Sequence, residues 1–173
     1  ENLAALQQEI EDEAGPAYKA AIAESDKLKS FTALDQRDDS YGFHTAMQKT
    51  TTDTQWVQVD LGESQPLGEI RLHPCSDDFG GIGNGFGFPV RFKIEASEDP
   101  TFKSSTLIAD EAQADYPNIG IAYYAATQQV SARYIRLTVS KLYDRNGTPM
   151  FAISELEALT ADGTNVAQQK QVS

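Results

Sequence analysis

From Phe31 onward the chain alternates polar and apolar residues in short runs. Gln55-Trp56-Val57-Gln58-Val59-Asp60-Leu61-Gly62 keeps a period of two until Gly62 closes it, the pattern of a strand with one face in a core. Glu69 to His73 alternates likewise and stops at Pro74. Val90 to Ala96 does so between Pro89 and Asp99-Pro100, and Arg133 to Val139 is a fourth such run. Thr106 to Ala109, Ile121 to Ala126 and Phe151 to Leu159 are further strand candidates with less regular alternation. Short strands parted by turn residues, with no helical pattern between them, predict an all-β fold, an antiparallel sandwich or jelly roll.

Residues 1–30 read differently. Leu3, Leu6 and Ile10, then Tyr18, Ile22 and Leu28, recur at helical spacing, interrupted by Gly15-Pro16, which predicts two short helical pieces. The expected organisation is a helical linker or extension over 1–30, a β-sandwich over 31–162 and a C-terminal tail or linker over 163–173. The opening at Glu1 inside a helical pattern is what a domain cut from a longer chain would show. No apolar run is long enough to cross a bilayer as a helix, so membrane insertion is not expected.

Trp56 to Gly62, the following Ile70-Arg71-Leu72, Ala132-Arg133-Tyr134-Ile135-Arg136-Leu137 and the closing Ile153-Ser154-Glu155-Leu156-Glu157 stand in the order and spacing of discoidin domains. Over about residues 31 to 160 the chain resembles this family, also called coagulation factor 5/8 type C. The resemblance implies an eight-stranded jelly roll that binds ligands through loops at one end and performs no catalysis. Sugars, phospholipid head groups and proteins are all ligands within the family. Its bacterial members are largely carbohydrate-binding modules attached to glycoside hydrolases or other extracellular proteins.

The loops sort by parity, because each antiparallel connection reverses direction. Residues 35–54, 74–89, 110–120 and 141–150 then share one end. The shorter stretches 63–68, 97–105 and 127–132 share the other. The long loops carry Tyr41, Phe43, Phe79, Phe86, Phe88, Tyr116 and Tyr143, with Asp77, Asp78, Asn84, Asn118, Asp144, Arg145 and Asn146, and with His44 and His73 nearby. Flat rings to cover C–H faces and planar polar groups to bond paired hydroxyls suit a sugar. The expected contacts are His73, Asp77, Asp78, Phe79, Asn84, Phe86, Tyr116, Asn118, Tyr143, Arg145 and Asn146. Phe86 and Phe88 also read as plugs that anchor the glycine-rich insert, and Asn146-Gly147 also reads as a plain turn.

The formal net charge of −12 argues against nucleic acid and anionic membranes as partners, since both call for basic surface. Gly81, Gly83, Gly85 and Gly87 alternate and lead into a strand, whereas a dinucleotide site needs G-x-G-x-x-G at a helix start. A single cysteine, Cys75, excludes an internal disulfide and multi-cysteine zinc sites. Asp77, Asp78 and Asp115 are the carboxylates available for glycoside hydrolysis, with nothing in the sequence to set their separation. The resemblance also implies a structural calcium ion, for which Asp35, Asp38, Asp39 and Asp53 are loop candidates and Glu155 the candidate on the last strand. The Asp-Gly-x-x-x-Thr type of loop that often helps to hold it is not recognisable in residues 42–53. The chain therefore reads as a non-catalytic carbohydrate-binding module of a larger extracellular, cell-surface or periplasmic protein. The alternative is a structural or protein-interaction domain that packs against neighbouring domains of its own chain.

Overall fold

Alternation becomes architecture in the computed structural model, which describes residues 42–77 and 83–173 together with 15–16, 19–21 and 23–24. The last three pieces are helical and belong to a separate unit, residues 1–38. The strands are β1 (Phe43–His44), β2 (Gln55–His73), β3 (Cys75–Asp77), β4 (Gly83–Phe86), β5 (Arg91–Ser97), β6 (Thr106–Asp110), β7 (Tyr123–Lys141), β8 (Tyr143–Asp144), β9 (Pro149–Met150), β10 (Ala152–Ile153), β11 (Glu155–Leu159) and β12 (Gln171–Val172).

β2 and β7 form one long antiparallel ribbon, paired from Gln55↔Val139 to Leu72↔Tyr123. The ribbon folds over on itself. Phe92 of β5 pairs through its backbone with Val139 at one end of β7, while its ring centroid lies 5.1 Å from that of Tyr123 at the other end. The first half of β2 and the second half of β7 make one layer, in the order β12–β2–β7–β5–β6; the remaining halves make the other with β11. Every inward position of the alternation is filled from both layers: Val57, Val59 and Leu61, Ile70 and Leu72, Phe92 and Ile94, Ile135, Leu137 and Val139 are all buried. Each such side chain contributes about 1.5–3 kcal/mol through burial.

Residues 63–68 and 127–132, expected as turns, do not reverse the chain. Gln65↔Ala132, Pro66↔Ser131 and Leu67↔Val130 stay paired, with register shifts between Asp60 and Gln65 and between Leu67 and Glu69. Bulges bend a ribbon without ending it, and they break the alternation as a turn would. Parity still holds, because folding the ribbon over makes the two halves of each strand run in opposite senses.

Residues 163–173, expected as a tail, are part of the sandwich. Val166 donates its backbone N–H to Ala158, β12 pairs with Asp60 and Val59, and Ser173 exchanges backbone hydrogen bonds with Gln58 at 2.9 and 3.1 Å. Val166 and Ala167 pack on the core. The segment is too short and polar to show alternation, and it earns its place by covering an edge of β2.

Asp60-Leu61-Gly62 closes the signature strand for a structural reason. Arg133 on the adjacent β7 donates Nε and Nη2 to the two Asp60 oxygens at 2.8 and 2.9 Å, and the Gly62 N–H donates to Asp60 at 2.8 Å. Gly62 has φ +87°, a region costly for any residue with a Cβ. The Arg133 guanidinium, then the Gly62 N–H, hold the Asp60 carboxyl down to about 2. Its folded value lies below its unfolded one, so its stabilisation is full above about pH 4 and is lost as pH falls toward 2. Thermal melts across that window should show a smaller fall for Asp60→Asn than for the parent chain, and an identical fall would remove Asp60 as a source of acid sensitivity.

Candidate functional site

Backbone hydrogen bonds tie the long loops together at one end. Leu142 N donates to Thr51 O at 2.7 Å, Gln48 N to Pro149 O at 2.8 Å and Ala152 N to Gly87 O at 2.7 Å. Val90 N donates to Lys141 O at 3.1 Å and Tyr116 N to Val90 O at 2.8 Å. The described parts of residues 42–54, 74–89, 111–122 and 142–151 thus meet, as parity required.

Beneath them Cys75, Phe86, Met150 and Ala152 form a small core of their own. Phe86, which reads both as a ligand contact and as a plug, is 6% exposed. Its ring lies 5.5 Å from His44 and 6.2 Å from Tyr143, centroid to centroid, and the Arg145 guanidinium sits 5.3 Å above it. Phe86 is a plug that props up Arg145 and Tyr143, which the hairpin β8–β9 carries to the surface. That hairpin turns through Asn146 (φ +53°) and Gly147 (φ +80°), with Arg145 and Thr148 bonded across it, the two-residue turn that Asn-Gly favours. Asp144 accepts from Gly147 N at 2.8 Å and stiffens the turn.

Other expected contacts have partners within the fold. The Tyr116 ring packs against Phe88, Phe92 and Tyr123. Asn118 donates Nδ2 to Gly85 O at 2.6 Å and accepts from Gly120 N at 3.3 Å, clamping its loop to β4. His73 stands apart on the outer face of β2, where it bonds Glu157 at 2.8 Å. Asn84 is exposed beside Gly120. Asp77 pairs with Gly83 through its backbone; Asp78 and Phe79 lie outside the described residues. Exposed Ile119 and Ile121 beside this cluster were not among the expected contacts. The signal is in the sequence, since two isoleucines flank a glycine in an otherwise polar loop, but Ile121 also opens a strand candidate.

Asp115 is held by Lys141 and Arg91, each at 2.6 Å, and these cations keep its carboxyl below the usual range. His44 approaches Cys75, with Nε2 3.9 Å from Sγ. Burial pushes that thiol up to about 11, the reverse of what an attacking thiolate needs.

The calcium expectation is only partly placed. Asp35, Asp38 and Asp39 lie outside the described residues. Asp53 accepts from the backbone N–H groups of Lys49 and Thr50 at 3.1 and 2.9 Å and so caps a turn. Among the described residues, the group of three or more His, Cys, Asp or Glu able to converge on one ion is His73, Glu155 and Glu157. Asp53 and Glu155 do not by themselves make an oxygen cage of the kind calcium takes.

Solved structures share this fold. The family 32 carbohydrate-binding module of Clostridium perfringens NanJ, in complex with galactose, has a TM-score of 0.53 and 20% identity over 73% of this chain and 80% of that one. CpGH89CBM32-5 of Clostridium perfringens, in complex with GalNAc-β-1,3-galactose, has a TM-score of 0.51 and 17% identity over 73% and 79%. CBM32-1 from a family 31 glycoside hydrolase of Clostridium perfringens has a TM-score of 0.51 and 20% identity over 71% and 79%. No curated protein matches the sequence significantly. The F5/8 type C domain family matches residues 19–156, 138 of the 173, and the chain belongs to that family.

Proposed function

We propose that this chain is a non-catalytic carbohydrate-binding module of a larger extracellular, cell-surface or periplasmic protein. The observation that carries the reading is the convergence of the long loops around Phe86, which sets Arg145 over a buried ring beside half-buried Tyr143. A guanidinium so held is pre-organised to donate two parallel hydrogen bonds to vicinal sugar hydroxyls. Tyr143, whose ring centroid lies 6.2 Å from that of Phe86, adds an aromatic face beside it. Two relatives of this fold were solved with galactose and with a galactose disaccharide, which makes galactosides the first ligands to try.

A glycan array followed by calorimetry tests the reading. Binding of a galactose- or GalNAc-terminated glycan is expected, with at least a tenfold loss in Arg145→Ala and none in Trp56→Ala, which alters the sheet's outer face. Failure to bind any mono- or oligosaccharide at millimolar concentration would overturn it. Ile119 and Ile121, 67% and 60% exposed, favour the second reading, in which this end packs on a neighbouring domain.

A further inference from the structure

The outer face of β2 and β11 carries a group of side chains that neither the core nor the loop end uses. His73 lies directly opposite Glu155, and Arg71 opposite Glu157, in the antiparallel register. One ligand atom from each of His73, Glu155 and Glu157 lies within 4.8 Å of the other two. His73 Nε2 and Glu157 Oε2 are already 2.8 Å apart. A zinc-like ion about 2.0–2.1 Å from each ligand would set tetrahedral neighbours roughly 3.3–3.4 Å apart. The triangle therefore closes on an ion through small movements of partly exposed side chains, while the paired strands stay fixed.

We propose that His73, Glu155 and Glu157 bind a divalent transition-metal cation of the zinc type. The donor set decides the class. One imidazole nitrogen and two carboxylates suit a borderline ion that accepts three protein ligands and keeps a fourth position open. Calcium takes six to eight oxygens and gains little from an imidazole. Glu155 is exposed, so the fourth position faces solvent. Binding replaces the His73–Glu157 hydrogen bond, with His73 ligating as the tautomer protonated on Nδ1.

Charge favours a cation here. Glu69, Glu155 and Glu157 carry three negative charges against the single positive charge of Arg71. That guanidinium bonds Glu69 through Nε and lies 5.3 Å over the Tyr124 ring, whereas its approach to Glu157 is 3.6 Å. Arg71 can keep its principal partners while Glu157 turns to the metal. Asn165 reaches Glu155 Oε1 at 3.4 Å and steadies it from outside.

The test is calorimetric titration of Zn²⁺ into the untagged chain at neutral pH, in a buffer that does not chelate. The chain has two histidines, His44 and His73, so His44→Ala is the matched control. One-to-one binding is expected in the parent chain and in His44→Ala. His73→Ala and Glu157→Gln should bind tenfold or more weakly. Should either variant fold poorly, ring resonances of the parent chain decide, since Zn²⁺ should shift those of His73. Affinity unchanged in His73→Ala, shifts confined to His44, or no binding at millimolar metal would each overturn the proposal. The outcome is independent of sugar binding, which uses the loops.

Discussion

Replacing Phe92 with alanine is expected to destabilise the sandwich by about 3–5 kcal/mol. Phe92 is fully buried, and its ring contacts Phe88, Tyr116 and Tyr123 at centroid distances of 6.1, 5.6 and 5.1 Å. It thereby joins the two ends of β7, which the folded ribbon brings together, and it forms the floor under the 111–122 loop. Its backbone is also bonded to Glu111 in both directions, so the site cannot collapse freely to fill the void. A loss of this size is a large fraction of the stability of an ordinary domain. Urea unfolding should show a much lower midpoint with an unchanged slope. Trp56→Ala is the comparison. Trp56 is 47% exposed and the Arg136 guanidinium lies 4.7 Å from its ring centroid, an interaction worth about 0.5–1 kcal/mol at an exposed site. An equal loss in the two variants would mean that the folded-over ribbon is not what the core depends on.

The same contrast shows what could be read in advance. Period-two alternation reports which side chains face inward, so Val57, Val59, Leu61, Ile135 and Leu137 were legible as core before any pairing was known. Alternation says nothing about how far a strand continues. Gly62 and Gly68 mark bends in β2 that look like chain reversals, and only the pairing of residues 65–67 with 130–132 distinguishes the two. The gathering of loops at one end was legible because it follows from direction alone. Which loop side chains stay at the surface was not, because a ring or an amide serves equally well outside or in. Phe86 and Tyr116 pack inward, and Asn118 bonds the Gly85 carbonyl. Glu157 and His73 meet through register, and a single strand carries no record of its register with a partner distant in sequence.

Gly87→Ala should cost about 2–5 kcal/mol and, with it, the sugar affinity proposed for the loop end. Gly87 has φ +67°, which costs an L-residue about 1–2 kcal/mol. A Cβ there would lie 2.8 Å from the Ala152 Cβ and 3.0 Å from its backbone nitrogen, and overpacking of this kind adds roughly 1–3 kcal/mol. Ala152 is fully buried and paired with His44 through β1 and β10, so it cannot give way cheaply. The loop must lift instead, breaking the 2.7 Å bond from Ala152 N to Gly87 O and moving Phe86 from beneath Arg145. Gly83→Ala separates the two causes. Gly83 has a similar φ of +75°, but nothing lies within 4 Å of its Cβ position, so it should show the conformational strain alone and retain ligand. Equal losses in the two variants would locate the whole effect in the backbone dihedral, and the loop's seat on Ala152 would then contribute nothing to holding Arg145 in place.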